Sequence, residues 1–390
     1  MKIGILVWQL DIKGGTQRQV LELARYLSMT NHKVVIYAYL FDKEGCYPEL
    51  CEGLDIRYVK LNRDSTASDY PSRSVEYFYK YWLFFWGIKH KQLLRIIDDD
   101  IDVLNPHDSG TYVTAGLWRE KYKRPVVWMM NDMPLYKWNT GHLPKTIGYH
   151  FRSRYRKYIQ KFDKIIVLDN LNRNLLMKNF HMESVVVRSG LDINSFRYVE
   201  RGNKQKYTIF MLSVLFPHRR VEDGVLALSH LNSLGHDVSI EHVGALDRDK
   251  RYTRKIKRLV KRLGLEDRVR FHGPVSHDRL LQFFQRLDIF LFPNNPQTWG
   301  LSVFEAMASG MPVVLTAGCG AAEILTDGEN AVIVEPNSPQ QIARAIARLI
   351  SNQKFKDQLA RNAYDFVSNN ISWERYSKEL LTHLEAVYRQ

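Results

Sequence analysis

A predicted helix start within residues 291–316 carries residue types suited to binding a phosphate and a sugar. The stretch reads LFPNNPQTWGLSVFEAMASGMPVVLT: an apolar run, a polar loop, a helical pattern from Leu301 and a second apolar run. This order predicts a βαβ unit whose loop opens at the carboxyl end of a strand, where α/β proteins bind ligands. Gly300 leaves the first helical N–H groups accessible to an anion, and Glu305, one turn beyond Leu301, could accept both hydroxyls of a diol. A buried crossover helix shows the same pattern, so both interpretations stay open.

A pair of arginines follows another predicted strand. The sequence FPHRRVED comes after residues 207–214, so Arg219 and Arg220 lie between the end of a strand and the start of a helix. A guanidinium there can bind a diphosphate through two parallel hydrogen bonds. An adjacent arginine pair on a surface is often only solubilising, but this pair faces the same predicted sheet edge as Gly300. That coincidence favours a phosphate site.

The amino-terminal residues show a weaker phosphate-binding pattern. A β-rich run over residues 2–8 is followed by Gly14, Gly15 and a helical pattern over residues 17–27. A strand, a glycine-bearing loop and a helix permit phosphate binding, but the loop is not a GxGxxG fingerprint. A turn that needs a flexible backbone explains Gly14 equally well.

Polar residues follow two neighbouring predicted strands of the amino-terminal half. His107 follows the strand at 101–104, while Asn131 and Asp132 end the strand at 125–130. His107 could orient a group or relay a proton, although a histidine that only hydrogen-bonds a neighbouring loop is commoner. The acidic run at 98–100 contains a DxD pattern, but it precedes its strand, so we interpret it as a solvated turn and not as a metal site.

Composition sets the broad class of the protein. The 390 residues favour two or three domains, and 56 basic against 42 acidic residues give a formal charge of +14. This excess suggests phosphate-bearing partners or an anionic membrane surface. Three cysteines, at 46, 51 and 319, match neither a disulfide framework nor a metal site, which favours a reducing cytosol. The start, MKIGILVWQLD, resembles a first strand more than a signal peptide, and no apolar run is long enough to span a bilayer.

Two alternating strand and helix series predict an α/β protein with two Rossmann-like domains that face each other across a cleft. The first series occupies residues 1–200, and the polar run around Arg201 to Lys204 marks the predicted linker. The second series occupies residues 201–372. A helix over residues 373–390 ends the chain.

Two basic segments indicate a surface partner. Residues 70–95 combine many aromatic and cationic side chains in a helix-length piece, and residues 150–161 are strongly basic. Aromatic groups at the acyl boundary and cations at the headgroups are typical of interfacial segments. A buried helix with one wet face is the alternative, and we favour membrane-surface or lipid-acceptor contact.

The whole chain resembles retaining glycosyltransferases of the GT-B fold, family 4. The resemblance rests on GGTQRQVLELARYL, SGLDINSF, PHRRVED, RVRFHGPV, the 291–316 stretch and ISWERY before the last helix. It implies that the second domain binds a nucleotide sugar, that the first binds the acceptor, and that the last helix returns to the first domain. Arg219 matches the residue that grips the diphosphate, and Glu305 the residue that holds the ribose. The remaining donor-binding positions that it implies are Gly15 near the diphosphate, Val275 at the base, and Gly300 and Leu301 at the phosphate or donor sugar.

Three departures from the family pattern affect the expected mechanism. Gln297 replaces a usual acidic residue, Val214 a frequent basic residue, and Asn131 a histidine. Glutamine cannot act as a covalent nucleophile, so Gln297 is expected to orient donor hydroxyls. We expect the acceptor to attack from the face that the nucleoside diphosphate leaves, with Arg219 and the helix N-terminus stabilising that leaving group and no metal required.

The sequence therefore predicts a retaining, metal-independent hexosyltransferase of glycan biosynthesis. We expect catalytic roles for Arg219, Gln297 and His107, with Asn131 and Asp132 on the acceptor side. The expected partners are a nucleotide-sugar donor, a glycan or lipid-linked acceptor and an anionic membrane surface, with no nucleic acid and no cofactor. The expected location is cytoplasmic, at the inner face of the membrane. Two alternatives remain: a sugar-nucleotide epimerase of the same fold and a catalytically impaired nucleotide-sugar-binding protein.

Overall fold

The computed structural model describes residues 1–60, 88–108, 110–131, 157–296 and 299–390. Gln297, Asp132 and most of the two basic segments predicted to contact a membrane lie outside these ranges. The chain divides into one unit of Met1–Arg188 with Trp373–Gln390 and a second unit of Ser189–Ser372. No helix within the described ranges has the length and apolar character needed to cross a membrane.

The first unit is built on parallel strands in the order β3-β2-β1-β4, followed by β5-β6-β7. Isolated bridges from Leu104 to Val126 and from His107 to Met129 join β4 to β5. The central strands are almost continuously apolar, as expected for a parallel sheet buried on both faces. The strands are β1 (Lys2–Leu10), β2 (Lys33–Phe41), β3 (Asp55–Tyr58), β4 (Val103–Pro106), β5 (Val127–Met130), β6 (Lys164–Val167) and β7 (Val185–Val186). The helices are α1 (Gly15–Met29), α2 (Pro48–Cys51), α3 (Ile88–Ile96), α4 (Tyr112–Tyr122) and α5 (Asn170–Phe180).

The second unit contains a six-stranded parallel sheet in the order β10-β9-β8-β11-β12-β13. Its apolar strands and helices enclose one core that includes Ile209, Leu228 and Ile346. The strands are β8 (Tyr207–Leu212), β9 (Val238–Val243), β10 (Val269–Phe271), β11 (Ile289–Phe292), β12 (Val313–Thr316) and β13 (Val332–Val334). The helices are α6 (Val221–Ser233), α7 (Lys250–Arg262), α8 (His277–Arg286), α9 (Leu301–Ala308), α10 (Pro339–Ser351) and α11 (Gln353–Asn370).

The boundary between the units lies before the predicted linker. The predicted division after residue 200 differs because residues 189–201 pack on the second unit. Phe196 contacts Phe284 edge to face, with ring centroids 5.6 Å apart. Arg201 is buried, and its guanidinium donates hydrogen bonds to the carbonyls of Leu287 and Ser309 at 2.7 and 2.8 Å. A polar residue that suggested a linker is therefore a structural residue of the second unit.

The last helix, α12 (Trp373–Tyr388), belongs to the first unit, as the family resemblance implied. It packs against α1 and β5. Glu385 lies 3.6 Å from the imidazole of His32, and His383 lies 3.4 Å from the ammonium of Lys164. The chain thus returns to its first unit after the second unit is complete.

The acidic run at 98–100 forms ion pairs at the amino edge of the first sheet. The Lys2 ammonium lies 2.7 Å from an Asp98 oxygen and 2.5 Å from an Asp100 oxygen. Arg57 pairs with the other Asp98 oxygen at 2.6 Å. These cations hold the pKa of the Asp98 carboxyl below its ordinary value, although burial opposes the shift. The run is thus engaged with basic side chains of the same unit.

Candidate functional site

The second sheet has one topological switch point, between β8 and β11. The chain adds β9 and β10 on one side of β8 and then returns to place β11 on its other side. Loops that leave the carboxyl ends of two such strands diverge and open a crevice for a ligand. The loop after β8 carries Arg219, and the loop after β11 leads to Gly300. The two predicted phosphate-binding segments therefore meet at the switch point.

Buried hydrogen bonds join these two loops. Asn294, 1% exposed, receives a hydrogen bond on its carbonyl oxygen from the Thr316 hydroxyl at 2.5 Å. With its amide turned so that both polar atoms are satisfied, Asn294 donates to the Arg219 carbonyl at 3.1 Å and accepts from Arg219 Nη1 at 2.9 Å. The backbone N–H of Asn295 donates to the His218 carbonyl at 2.8 Å. The loop after β11 thus fixes both the backbone and the guanidinium of Arg219.

Arg219 ends a short 3₁₀ turn, Pro217–Arg219, and lies half-buried at the sheet edge. Burial lowers the pKa of its guanidinium to about 10. This value is still well above neutral pH, so the side chain stays cationic. Removal from water also strengthens its attraction to an anion. The position suits a cation that binds phosphate.

The neighbouring Arg220 has a different role. Its backbone is left-handed, with φ of 51°, and its guanidinium forms two hydrogen bonds to the Asp223 carboxylate at 2.9 and 2.8 Å. Glu222 beside it accepts hydrogen bonds from the Tyr252 hydroxyl and the Lys255 ammonium. Arg220 therefore holds the first turn of α6, whereas the Arg219 guanidinium contacts Asn294 in the loop after β11.

Gly300 opens the first turn of α9 toward the same edge. It has φ of 77° and ψ of 55°, a left-handed conformation that favours glycine, and no side chain among the described residues caps the helix. The Val303 N–H donates to the Gly300 carbonyl at 3.0 Å, whereas those of Leu301 and Ser302 precede the first intrahelical bond. Trp299 stacks on Phe304 with centroids 4.6 Å apart, which anchors the helix start in the core. N–H groups in this position, before the first intrahelical bond, suit an anion.

Glu305 lies half-buried one helical turn beyond Leu301. Its backbone carbonyl accepts hydrogen bonds from the N–H and hydroxyl of Ser309, at 3.2 and 3.0 Å. It lies on the side of α9 that carries Leu301, and its role as a diol-binding carboxylate stays a prediction. Gln297, the predicted orienting residue, lies outside the described residues. Val214 is half-buried in the loop after β8 and offers no charge there.

The ends of β9 and β10 complete this edge. Gly244 has φ of 132°, and a Cβ on it would lie 2.0 Å from the Ser213 carbonyl oxygen. Its N–H donates to the Gly273 carbonyl at 2.9 Å, which ties the two loops together. Val275 follows Gly273 by two residues and is half-buried before α8, where main chain can meet a base. The sequence pattern named Val275 but not Gly244, because the close approach at Gly244 involves Ser213, a residue distant in sequence.

A buried histidine supports the loop after β8. His242 has no solvent exposure, and its Nε2 lies 3.2 Å from the Ser213 hydroxyl. Burial, with a smaller effect from His272, lowers the pKa of His242 to about 4. The imidazole is thus neutral at pH 7. It positions Ser213 beside the edge, and sequence analysis did not identify it.

The first unit repeats the switch-point arrangement between β1 and β4. Gly15 begins α1 after β1, and a Cβ on it would meet no atom within 4 Å. His107 follows β4, and its N–H donates to the Leu6 carbonyl at 2.7 Å. The open space at Gly15 would allow a ligand to approach its backbone closely. The two predicted residues therefore lie on strands that flank this switch point.

The His107 side chain is fully buried and does not face solvent. Its Nε2 lies 2.8 Å from the Asn105 amide oxygen, and the Asn105 amide donates to the Val127 carbonyl at 2.6 Å. Burial lowers the pKa of His107 to about 3, so the ring is neutral. This placement suits a residue that positions the end of β4. It gives no direct access to a reacting group in this structure.

Asn131 lies directly after β5 and is 8% exposed. Within the described part of the chain, neither atom of its amide has a hydrogen-bond partner. Buried amides are normally satisfied, so this one is suited to a hydroxyl that enters the edge. Asp132, its predicted companion on the acceptor side, lies outside the described residues. The described ranges also contain no group of three His, Cys, Asp or Glu residues arranged to hold a metal ion.

Comparison with family models agrees with this architecture. Residues 192–366 match the model of glycosyl transferases group 1, and residues 13–195 match that of glycosyltransferase family 4. The second match covers the first unit from the loop after β1 through β7, and the first covers most of the unit that contains Arg219 and Glu305. Together the two matches extend over most of the chain.

Individual relatives are distant but cover nearly the whole chain. Mannosylfructose-phosphate synthase of Agrobacterium fabrum is 22% identical over 95% of this chain and 86% of its own. Anabaena HepE, solved with UDP and glucose, has a TM-score of 0.76 at 17% identity and covers 99% of this chain and 100% of its own. Sucrose-phosphate synthase of Thermosynechococcus elongatus has a TM-score of 0.76 at 16% identity, over 100% and 99% of the two chains. The protein is a GT-B glycosyltransferase that belongs to group 1, family 4.

Proposed function

We propose that the protein transfers a sugar from a nucleoside-diphosphate sugar to a glycan or lipid-linked acceptor, with retention of anomeric configuration. The observation that carries this proposal is the meeting of Arg219 and the α9 N-terminus at the switch point between β8 and β11. A cation and free N–H groups at one sheet edge are suited to a diphosphate. HepE, which shares the fold, has been solved with UDP and with UDP-glucose, and this supports a donor of that class.

The donor would lie along the carboxyl edge of the second sheet. Arg219 and the first turn of α9 would bind the diphosphate, and Glu305 would accept the two ribose hydroxyls. The main chain at Val275, in the loop after β10, would contact the base. Gly244 keeps the backbone beside Ser213 free of a side chain, so it preserves the shape of this edge.

Retention is proposed to proceed without a covalent enzyme intermediate. Gln297 occupies the position where an acidic residue would be needed, and an amide is not a nucleophile. The bond between the anomeric carbon and the diphosphate oxygen breaks, the oxygen of the acceptor hydroxyl forms a bond to the same face, and the proton of that hydroxyl passes to the leaving diphosphate oxygen. Negative charge then grows on the leaving diphosphate. Arg219 and the α9 N–H groups stabilise that charge, which is the main catalytic effect, and no metal or cofactor takes part.

The first unit is proposed to bind the acceptor. The unsatisfied amide of Asn131 can hydrogen-bond an acceptor hydroxyl, and Asp132 follows it in the chain. His107 would position this edge from within. An acceptor attached to a lipid would place the reaction in the cytoplasm, at the inner face of the membrane, where the basic segments at 70–95 and 150–161 would meet anionic headgroups.

Product analysis tests this proposal. The protein is incubated with a panel of nucleoside-diphosphate sugars, with and without acceptors that include lipid-linked sugars, oligosaccharides and sugar phosphates. We expect nucleoside diphosphate to be released only with a donor and an acceptor together, in chelator as well as without it. The new glycosidic bond should have the anomeric configuration of the donor by NMR.

Two results would replace the proposal with its alternatives. Donor consumption in the absence of every acceptor would identify an epimerase of this fold. Tight donor binding with no turnover across the panel would identify a nucleotide-sugar-binding protein. An inverted product would reject the retaining mechanism while leaving the transferase assignment intact.

A further inference from the structure

Helix α7 presents an unusually basic face to solvent. Eight of its thirteen residues are Lys or Arg, all of them exposed, and none is acidic. At about 100° per residue, these cations fall within an arc of about 160° on the helix surface. Four of them lie within about 60° at one side of this arc and form a stripe, which we call the α7 stripe. The α7 stripe consists of Lys250, Arg254, Lys257 and Lys261.

The core of the second unit fixes the orientation of this face. The other side of the helix is buried and carries Tyr252, Ile256, Leu259 and Val260. These side chains pack in the same core as the strands of the sheet. The helix therefore cannot turn its cations inward, and the α7 stripe extends along about 16 Å of solvent-exposed surface.

The chain concentrates much of its charge here. Residues 247–270 contain eleven Lys or Arg and four Asp or Glu, a net of +7 against +14 for all 390 residues. Half of the excess positive charge is thus carried by 24 residues. Charge at this local density creates a strong positive potential over one face of the unit.

The charges of the α7 stripe are not neutralised within the described part of the molecule. Lys255, at the side of the face, pairs with Glu222 at 3.1 Å, but no described carboxylate pairs with a stripe residue. Lys250 and Arg254, and Lys257 and Lys261, are spaced four residues apart and repel each other on the helix. Glutamate at alternate positions would remove this repulsion, and the helix contains none. The arrangement weakens the helix itself and fits an anionic partner outside the chain.

We propose that the α7 stripe docks on the surface of an anionic lipid bilayer. Clusters of four to eight cations on an amphipathic helix are attracted to anionic headgroups. Because the apolar side of α7 is already buried in the protein, this attachment is electrostatic and does not insert the helix. Nucleic acid fits less well, since the exposed face carries no aromatic side chain on which a base could stack. The inference goes beyond the transfer reaction and is independent of the aromatic segment at 70–95.

Vesicle co-sedimentation with the full chain tests this inference. The vesicles are phosphatidylcholine with about one-third phosphatidylglycerol, compared with pure phosphatidylcholine, at about 0.05 M and 0.5 M salt. The stripe variant removes four charges and keeps helix-forming side chains. It is Lys250→Gln, Arg254→Gln, Lys257→Gln and Lys261→Gln. The control variant loses the same charge from exposed positions on four other helices, which are Lys178→Gln, Arg344→Gln, Lys354→Gln and Lys378→Gln.

We expect the wild type to bind the anionic vesicles at low salt only. Each cation near such a surface contributes about fivefold to the affinity for the vesicle. If two of the four stripe cations contact the surface, removal of all four should weaken vesicle binding about 30-fold. The control variant should stay within about threefold of the wild type. Equal losses in both variants, unchanged binding by the stripe variant, or no binding by the wild type would overturn the inference. Duplex DNA that binds as tightly, with the same loss in the stripe variant, would replace the bilayer with a nucleic-acid partner. Adsorption is measured without donor or acceptor, so these outcomes do not depend on the transferase proposal.

Discussion

Replacement of Arg219 by glutamine removes the cation at the switch point and leaves a polar side chain. The Arg219 guanidinium donates one hydrogen bond to Asn294, at 2.9 Å. The backbone carbonyl of Arg219 accepts a second hydrogen bond from Asn294, and the substitution retains it. Glutamine can still donate toward the Asn294 oxygen. The substitution therefore tests the charge of Arg219 more than its packing.

The expected effect follows from the burial of this guanidinium. A hydrogen bond between a charged donor and a phosphate contributes about 1.5–3 kcal/mol, or about 10- to 150-fold in affinity. Burial that lowers the pKa of Arg219 to about 10 also places it where water screens a phosphate poorly. We therefore expect the upper part of that range, about 30- to 150-fold weaker binding. Turnover should fall by about 10²- to 10³-fold, because the charge on the leaving diphosphate increases in the transition state.

Isothermal titration calorimetry with UDP measures this loss, and urea unfolding checks that the variant is folded. Arg220→Gln is the matched control, because Arg220 is adjacent but is bound to Asp223, which is 1% exposed. It should keep nucleotide affinity within about threefold and lose about 2 kcal/mol of unfolding free energy, since Asp223 loses two charged hydrogen bonds. If UDP does not bind the wild type, the other common nucleoside diphosphates take its place.

The contrast between the two variants is what would refute the assignment. Unchanged nucleotide affinity in a folded Arg219→Gln protein would show that the phosphate lies elsewhere. A larger loss of affinity in Arg220→Gln would assign the phosphate to the other arginine. That result would require the Arg220 to Asp223 pair to open on binding.

Three further predictions concern the same unit. Glu305→Gln should weaken nucleoside diphosphate binding about tenfold but leave pyrophosphate binding unchanged, because pyrophosphate has no ribose; equal losses by calorimetry would remove Glu305 from the ribose site. Gly244→Ala should lower the unfolding free energy by about 3 kcal/mol, because the added Cβ would meet the Ser213 carbonyl. The control Gly235→Ala should lower it by only about 1 kcal/mol, because Gly235 has φ of 84° but no atom within 4 Å of an added Cβ. Equal urea midpoints for the two variants would contradict the close approach to Ser213. Burial lowers the pKa of His242 to about 4, whereas the same imidazole in the unfolded chain has a pKa of about 6.5. Between these values only the unfolded state is protonated, so the free energy of unfolding falls as the pH decreases from about 6.5 toward 4. His242→Gln should reduce the loss of unfolding free energy between about pH 7.5 and pH 5 by about 2 kcal/mol, and an unchanged loss would show that this ring is not kept neutral.

The sequence predicted the fold well because parallel strands buried on both faces are continuous apolar runs. The short edge strand β3 was missed, since Asp55 and Arg57 give it no such run. The domain boundary was misplaced because a polar segment was equated with a linker. Arg201 is polar, but its guanidinium satisfies backbone carbonyls from residues more than eighty positions away. Composition does not reveal a partner at that distance.

Sequence reasoning could name residues of the candidate site where one continuous segment carried the pattern. Arg219 and Gly300 each lie between a strand and a helix, and strand order then brought them to one edge. Asn294 and Gly244 were missed because their roles depend on contacts across strands, with Arg219 and Ser213 respectively. The sequence also could not assign different roles to Arg219 and Arg220. They differ because the Asp223 carboxylate accepts hydrogen bonds from Arg220.

A crystal structure with a bound nucleoside diphosphate tests the central claim most directly. The account predicts phosphate oxygens within hydrogen-bond distance of the Arg219 guanidinium and of the Leu301 and Ser302 N–H groups, with the ribose hydroxyls on Glu305. A nucleotide bound at the carboxyl edge of the first sheet, near Gly15 and His107, would contradict it. So would a diphosphate on the second unit that contacts neither Arg219 nor the first turn of α9.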